Sequence, residues 1–544
     1  MKPLQRLSVL ALSLAILCQT AVTRPTAANV KEIKVRGYIT ALTSPTSFEI
    51  EDYRITRDES LQLEFDNKTA ATSFKPEDLR VGTLVELRGL FNSETSELKA
   101  TKIKIDLRQF RSLNVTTILE SRPAELVQTE GDKWRGLIVA DGRRIRVEPE
   151  TQVFFKLNKT ERKESEKQQK EQKKHAKNAP KDEQPPAAGA ETAEAVKAET
   201  ADVAPTSSPK DKSDVKPEDE EETTAAEEAV GAGPLTSLAD IGPGVIMTYE
   251  GKEQPDGAVL TSKVTFVKNE QEKGEKNLWK QLKVKEKPAN FMEGKPGELK
   301  VGNAKYKVLP NEEVQAYVNR IGQSLVPAYQ RKLPDGDPNK IPFKFVVIVQ
   351  KGFNAAAYPN GTVVVHDDDF QILENEAQLA AVLGHEIAHA TQEHGFRQLE
   401  HNKKRRRALA FASLFAAGMG YYSISNIVDL VNAAMINGYG RTMENQADRV
   451  GLQYMTAVGY DPREAPRVWK LVTKKYGDMP TNFFWSNHDS NTERRSFEML
   501  TIRNLFGDLD FGQLKKGDDE FKRVAALALD ANPKNKKRKI KVTS

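Results

Sequence analysis

Cysteine is almost absent from this chain of 544 residues, and Cys18 is the only one. A single thiol cannot build an internal disulfide framework, nor can it supply the several thiolates of a structural zinc site. If Cys18 leaves with an export signal, no cysteine nucleophile remains either. The net charge is also small for the length, at +5 from 82 basic and 77 acidic side chains. This balance argues against a nucleic-acid-binding protein.

Long apolar runs are missing near the N-terminus as well. The apolar stretch 7–17 follows two basic residues and is shorter than the ~20 residues that span a bilayer. Residues 1–28 are therefore predicted to be a cleaved signal peptide, and we expect an exported protein of the periplasm or cell envelope. Lipidation of Cys18 is an alternative, but Leu17 disfavours it because such sites prefer a small residue there.

Large apolar side chains are nearly absent from residues 159–233. This segment is rich in Lys, Glu and Gln at first, and later in Ala, Pro, Thr and acidic residues. It cannot bury enough apolar surface to offset its ordering entropy. We predict a disordered charged linker with transient helix in its first third. The basic run 534–539 similarly predicts that residues 511–544 form a basic C-terminal tail.

Segments around this linker resemble an earlier part of the chain. Residues 84–105 align with 245–266 at a constant offset, and both alternate apolar and polar residues as short strands do. The openings 35–39 and 134–138 also agree loosely. We predict two repeated β modules that resemble small OB-like barrels. The predicted modules are residues 29–110 and, interrupted by the linker, residues 111–158 plus 234–270.

The pattern with most chemical content is His385-Glu-Ile-Ala-His389, which lies in an apolar stretch that predicts a helix. Residues four apart on a helix lie one turn above each other, so both imidazoles can face one point. Two convergent imidazoles suit Zn²⁺, and Glu386 between them can take a proton from activated water. The alternative is a chance match of two surface histidines. His394 is expected at the helix end or in solvent, off the ligand face.

A third zinc ligand must come from elsewhere, because catalytic sites use three protein ligands. The metzincin pattern is excluded, since Gly395 stands where its third histidine would be. Glu444 is the better candidate, because Glu444 and Asp448 lie four apart on a helix predicted over 441–458. Asp448 would orient a ligating histidine. The alternative for this carboxylate pair is a solvated helix face.

With these motifs, the region from about 309 to 505 resembles the gluzincin family of zinc endopeptidases that includes the CAAX prenyl protease, HtpX, Oma-type proteases, BepA and LoiP. The resemblance rests on residues 309–322, 353–361, 374–389 and 444–448. It implies a mainly helical α+β zincin-type metallopeptidase domain. We expect this domain over 291–510, after a connector at 271–290, so that the whole chain is multidomain with an all-β N-terminal part.

The resemblance also implies roles for single residues. His385, His389 and Glu444 would bind one Zn²⁺ per chain, and Glu386 would be the general base for hydrolysis of protein or peptide substrates. His488 matches a histidine that stabilises the oxyanion, and Arg494 matches the arginine six residues beyond it. One departure puts the role of His488 in doubt: Asp489 stands where the family has proline.

Two further segments concern how a substrate could bind and whether the protein contacts a membrane. Residues 343–349 and 362–366 predict strands that flank a turn at 354–361, and an edge strand beside the zinc helix could pair with an extended substrate. Alternatively, they are ordinary strands of a small sheet. The apolar residues 408–431 predict a helical hairpin over the cleft, with peripheral membrane contact.

Two classes of function stay open at this point. One is an exported zinc endopeptidase that acts on misfolded or mislocalised envelope proteins. The other is a latent or inactive protease fold that acts as a chaperone-like binding or assembly factor. The intact His385–His389 motif and Glu444 favour the first, and Asp489 supports the second. The sequence does not indicate an oligomeric state.

Overall fold

The computed structural model describes seven stretches of the chain: residues 30–65, 78–106, 112–177, 232–254, 256–401, 440–477 and 491–532. The predicted signal peptide, most of the linker, the 408–431 segment and the loop with His488 and Asp489 lie outside these ranges. Within the described residues there are three sheets. No helix among them is both long and apolar enough to cross a membrane.

The first sheet has the strand order β1-β6-β7-β4-β3-β2, and β5 pairs with β7. Its core consists of side chains that alternate along the strands, such as Ile55, Leu87 and Ile103, all at most 1 % exposed. This alternation is what period-two strands with one buried face produce. The strands are β1 (Val30–Tyr38), β2 (Ala41–Ser44), β3 (Ser47–Ile50), β4 (Tyr53–Arg57), β5 (Leu63–Phe65), β6 (Leu84–Asn92) and β7 (Glu97–Ile105).

The second sheet repeats this pairing. Two strands run parallel to β15 as β4 and β5 run parallel to β7. The antiparallel pair β14–β15 has a bulge at Glu250/Gly251, as β6–β7 has at Arg88/Gly89. The N-terminal region is thus strand-rich, while closure into OB-like barrels stays a prediction. The strands are β8 (Leu113–Ile118), β9 (Val127–Gln128), β10 (Trp134–Ala140), β11 (Arg143–Val147), β12 (Gln152–Lys156), β13 (Ala232–Pro234), β14 (Ile246–Glu253) and β15 (Val259–Val267).

One part of the repeat prediction is wrong. Strand β8 pairs antiparallel with β14 as β1 pairs with β6, so the counterpart of residues 35–39 lies in β8 and not at 134–138. The loose match had rested on a shared Arg-Gly step. Strand pairing defines equivalent positions, and short identities do not.

The linker leaves and re-enters the second sheet at neighbouring strands, because β12 pairs with β13. Its first residues form helix α1 (Lys159–Lys177), where disorder with transient helix was predicted. The backbone N–H of Glu161 donates to Asn158 Oδ1, and that of Asn158 donates to Glu161 Oε2, both at 2.9 Å. This reciprocal capping box satisfies two backbone donors at the start of a helix that has few apolar side chains.

The C-terminal region combines the third sheet with eight helices whose two ends both lie in the described residues, and residues 394–401 are helical as well. The strand order is β16-β17-β18-β19-β21-β20, with β19 and β21 parallel. The strands are β16 (Val284–Lys287), β17 (Gly297–Val301), β18 (Ala304–Val308), β19 (Lys344–Ile348), β20 (Ala355–Ala357) and β21 (Thr362–His366). The helices are α2 (Lys273–Gln281), α3 (Glu312–Leu325), α4 (Ala328–Lys332), α5 (Glu376–Thr391), α6 (Arg441–Ala457), α7 (Glu464–Tyr476), α8 (Asn491–Phe506) and α9 (Asp518–Ala531).

The predicted boundaries of this region were too narrow at both ends. Residues 271–290 are not a simple connector, because β16 pairs with β17 and Leu278 of α2 is fully buried. Residues 511–544 are not all tail, because α9 packs Phe521 against Phe370 with ring centroids 5.7 Å apart. In both segments apolar residues at helical or strand spacing are diluted by lysines, which mask the signal in overall composition.

The first β module contacts helix α8 directly. Arg36 Nε lies 2.6 Å from Glu493 Oε2, and the backbone N–H of Tyr38 donates to Ser496 Oγ at 2.8 Å. Arg495 forms an ion pair with Glu51 at 2.8 Å. The module therefore covers one side of the helix that also carries Arg494.

Candidate metal centre

Helix α5 carries the His385–His389 motif through the middle of the C-terminal region. Asn375 caps it, because its side chain accepts from the backbone N–H of Gln378 at 2.9 Å. The helix is buried on nearly all sides, and its buried residues include the polar side chains of the motif. A Cβ built on Gly451 of α6 would lie 2.8 Å from the backbone nitrogen of His385. Glycine at this position therefore permits the close approach of α6.

This approach brings the three predicted metal ligands together. His385 Nε2 and His389 Nε2 lie 2.9 Å apart. Glu444 Oε2 is 3.5 Å from the first of these nitrogens, and Glu444 Oε1 is 3.6 Å from the second. One ligand atom from each residue falls within 4.8 Å of the others. All three side chains are buried, so the cluster is a site that could hold a metal ion.

Asp448 and Arg494 lie directly behind this cluster. His385 Nδ1 is 2.8 Å from Asp448 Oδ1, and Arg494 Nε donates to Asp448 Oδ2 at 3.0 Å. Burial alone would raise the pKa of Asp448, but Arg494 and His385 hold it below its usual range. This carboxylate therefore accepts a hydrogen bond from the Nδ1–H group of His385, which leaves Nε2 directed at the cluster.

The electrostatics of the cluster favour a cation. Burial lowers the pKa of His385, but hydrogen bonds with Asp448 and Glu444 outweigh it and raise this pKa to about 10. The carboxylates thus stabilise positive charge where the two Nε2 atoms meet. Two imidazoles and a carboxylate are also a donor set that catalytic Zn²⁺ uses. The residues present fit such an ion.

The side chain of Glu386, next to His385 on helix α5, contacts the sheet. The backbone N–H of Ala357 donates to Glu386 Oε2 at 2.8 Å, and burial raises the pKa of Glu386 to about 7. Ala357 belongs to β20, a short strand at the edge of the sheet inside the segment predicted as a turn. The predicted flanking strands correspond to β19 and β21, with His366 at the end of β21.

The prediction that His394 could lie in solvent is wrong. Its side chain is fully buried, with Nδ1 2.8 Å from His389 Nδ1 and Nε2 2.8 Å from Gln446 Oε1. Helix α5 ends at Thr391, and Glu393 adopts a left-handed φ of 56°, which redirects the chain and turns His394 back toward the cluster. The prediction had extended the helix past this break. Burial lowers the pKa of His394 to about 3, so this ring is neutral.

Two other predicted features cannot be placed in this geometry. His488 and Asp489 lie outside the described residues, and so does the apolar segment 408–431. Gln446 was not predicted to have any role, although it contacts His394. Its position two residues after Glu444 on a helix gives no signal by itself, because neighbouring residues on a helix point in different directions.

Comparison with known proteins agrees with this geometry. Residues 312–501 match the model described as Peptidase family M48, and residues 36–104 match a domain of unknown function, DUF5666. The second match falls within the first sheet. The first contains the whole metal cluster, together with Asp448 and Arg494.

Several known proteins are similar to part of this chain. The beta-barrel assembly-enhancing protease of Escherichia coli K12 is 30% identical over 158 residues, which are 28% of this chain and 31% of that protein. The mitochondrial metalloendopeptidase OMA1 of Arabidopsis thaliana is 30% identical over 155 residues, 28% of this chain and 30% of the relative. OMA1 of Saccharomyces cerevisiae is 24% identical over 235 residues, 37% of this chain and 62% of the relative. The chain thus spans about a third of the length of the first two.

Proposed function

We propose that the protein is a zinc-dependent endopeptidase, and the proposal proceeds from the match of residues 312–501 to the model of Peptidase family M48. Its substrates are peptide bonds in misfolded or mislocalised proteins of the cell envelope. The observation that carries the proposal is the convergence of His385, His389 and Glu444 on one point behind which Asp448 and Arg494 are paired.

In this proposal His385, His389 and Glu444 hold one zinc ion per chain. Zinc, when bound, supplies a Lewis acid that acidifies water and polarises the scissile carbonyl. Asp448 keeps the proton of His385 on Nδ1, and Arg494 keeps Asp448 ionised. The cluster is therefore prepared to receive a cation without rearrangement of these side chains.

Glu386 is proposed as the general base. It takes a proton from the attacking water and delivers it to the nitrogen of the leaving amine, so no net proton is consumed at the carboxyl group. Burial raises its pKa to about 7, which suits a group that must both accept and return a proton near neutrality. The N–H of Ala357 restrains one carboxylate oxygen. His488, by resemblance, would donate to the carbonyl oxygen as negative charge develops there.

We propose that the substrate runs beside β20 in an extended conformation. This strand is the last in its sheet, and it lies next to the helix that carries Glu386. Main-chain pairing at a sheet edge would hold an unfolded peptide with little side-chain selectivity, as a protease for misfolded proteins requires. The predicted hairpin at 408–431 would add an apolar surface or a membrane contact.

The envelope location is proposed from the N-terminal sequence. One relative is named for β-barrel assembly and others are named mitochondrial, so the relatives do not agree on a compartment. The short apolar run 7–17 after two basic residues instead supports export.

Zinc content and cleavage of an unfolded protein test this proposal. The purified wild-type chain should contain about one zinc and cleave reduced, unfolded casein, while Glu386→Gln should retain zinc and lose about 10²–10⁴ in rate. Glu393→Gln, a carboxylate seven residues further on, is the control and should cleave normally. Equal cleavage by wild type and Glu386→Gln would show that another residue is the base.

The same experiment separates the second class of function. If the wild type binds zinc fully and cleaves nothing, the endopeptidase proposal fails for the isolated chain. Suppression of aggregation of the unfolded protein by both wild type and Glu386→Gln would then favour the chaperone-like function.

A further inference from the structure

We propose that the second β module positions the metal ligand His389, through a hydrogen-bond chain that runs from Asp141 through Gln446 and His394. This inference rests on the proposed function, because it concerns how a proposed zinc ligand is held. It assigns a task to a module that the metallopeptidase match does not include.

The hydrogen-bond chain begins at the carboxylate of Asp141, which several neighbouring groups hold in place. Asp141 lies at the turn between β10 and β11, and its side chain is completely buried. Arg449 Nη2 lies 2.8 Å from both of its oxygens, and the hydroxyl of Tyr249 donates to Oδ2 at 2.7 Å. Burial alone would raise the pKa of Asp141, but Arg449 and Arg143 hold it low. Asp141 is therefore an ionised group that only accepts hydrogen bonds.

The orientation of the next residue follows from this. Gln446 Nε2 donates to Asp141 Oδ1 at 2.7 Å and to the backbone oxygen of Thr116 at 3.2 Å. Both partners are acceptors without a proton, so the NH₂ end of the amide must face them. The carbonyl end, Oε1, therefore faces His394. Both restraints on Gln446 come from the second β module, since Thr116 lies in β8.

The tautomer of both histidines is then determined. Gln446 Oε1 lies 2.8 Å from His394 Nε2 and can only accept, so the proton of His394 is on Nε2. Its Nδ1 carries a lone pair and accepts from His389 Nδ1, 2.8 Å away. His389 therefore carries its proton on Nδ1. Its Nε2 presents a lone pair to the point where His385 and Glu444 also converge, which is the form that binds a metal.

A reversed amide at Gln446 would have the opposite result. Its NH₂ group would donate to His394 Nε2 and move the proton of that ring to Nδ1. His394 would then donate to His389 Nδ1, so the proton of His389 would lie on Nε2 and block the metal-binding lone pair. The carboxylate of Asp141 excludes this arrangement, although it does not touch either histidine.

The experiment compares two variants in the full-length protein. Gln446→Met removes the three hydrogen bonds of the Gln446 side chain at nearly constant volume. Thr117→Val is the matched control. It removes a buried hydrogen bond of the same module interface, from Thr117 Oγ1 to Gln392 Oε1 at 3.0 Å, which is not part of the hydrogen-bond chain to His389. Zinc affinity is measured by competition with a chromogenic chelator. The ring-nitrogen chemical shifts of ¹⁵N-histidine-labelled, metal-free protein report the tautomer of His389.

We expect Gln446→Met to weaken zinc binding about 10–100-fold and to give His389 signals of mixed tautomers, while Thr117→Val matches wild type in both. Unchanged affinity and signals in Gln446→Met would overturn the inference, as would equal weakening by Thr117→Val. If wild type fails to bind zinc, the proposed function fails. The spectra of metal-free protein still decide whether the hydrogen-bond chain determines the tautomer of His389.

Discussion

Two buried aspartate–arginine pairs support the metal centre, and they differ in their distance from it. Asp448, paired with Arg494, contacts the ligand His385 directly at 2.8 Å. Asp141, paired with Arg449, is separated from His389 by Gln446 and His394. The first pair lies within the metallopeptidase region, whereas the second joins it to a β module.

The comparison shows two ways to orient a metal ligand. A carboxylate in contact with the ligand fixes its tautomer and also adds negative charge beside the metal. A carboxylate that acts through a neutral amide and a neutral imidazole fixes the tautomer and keeps its charge away. The two histidines are thus held alike but receive different electrostatic support.

The largest expected difference between the two pairs is in stability. Arg494→Met leaves Asp448 buried with only the His385 ring as a charged partner and should lower the free energy of unfolding of metal-free protein by about 3–5 kcal/mol. Arg449→Met should cost less, about 1–3 kcal/mol, because Arg143 and Tyr249 still contact Asp141. Urea unfolding measures both. Equal losses would contradict the view that Asp141 has the more redundant support.

A smaller loss of stability is expected from a substitution at Gly142, where the second β module contacts helix α6. Gly142 has a φ of +59°, and a Cβ there would lie 2.3 Å from Arg449 Cβ. Gly142→Ala should therefore lower stability by backbone strain of about 1–2 kcal/mol plus the cost of displacing the helix contact. Gly131→Ala is the control, since its φ is +58° but nothing lies within 4 Å. Similar unfolding midpoints for the two variants would show that the module tolerates separation from α6.

The smallest expected change in stability depends on pH and comes from Glu120, a carboxylate at the same interface. Burial raises the pKa of Glu120 to about 8, despite hydrogen bonds from Tyr454 and Gln392 that lower it. Between its ordinary pKa and this value, the folded state binds a proton that the unfolded state has released, so stability falls as pH rises. Glu120→Gln should thus be more stable than wild type by about 1–2 kcal/mol near pH 9.

At pH ~4, below the ordinary pKa of a glutamate, the Glu120→Gln variant and wild type should unfold alike. Thermal unfolding across this pH range measures the difference. Glu125→Gln, which changes an exposed glutamate of the same module, is the control. A constant difference at all pH values would mean that Glu120 is ionised in the folded state.

The metal cluster was largely predictable because its determinants are local. Four-residue spacing on a helix aligns His385 with His389 and Glu444 with Asp448, whatever surrounds them. Helix α6 ends one residue before its predicted end at 458. The prediction for His394 failed because the helix does not continue to it: Glu393 adopts a left-handed conformation and changes the direction of the chain. No propensity marks that residue as the point where the chain turns.

The domain boundaries were less predictable, because they depend on partners far along the chain. Strand β16 is highly charged and becomes part of a sheet only by pairing with β17. Helix α9 is identified as core only when Phe521 meets Phe370. The average composition of such segments is dominated by lysine. It therefore does not reveal the few apolar side chains through which each segment packs into the core.

The amino-acid sequence by itself determined the ligand types, their spacing and the repeat of the strand pattern, since each depends on residues close together or on periodicity. Only the tertiary structure decided which groups stand behind the ligands. Asp141 and Gln446 are 305 positions apart, and their contact exists because a hairpin turn fits against helix α6. Such a contact depends on three-dimensional packing, which residue order alone does not specify.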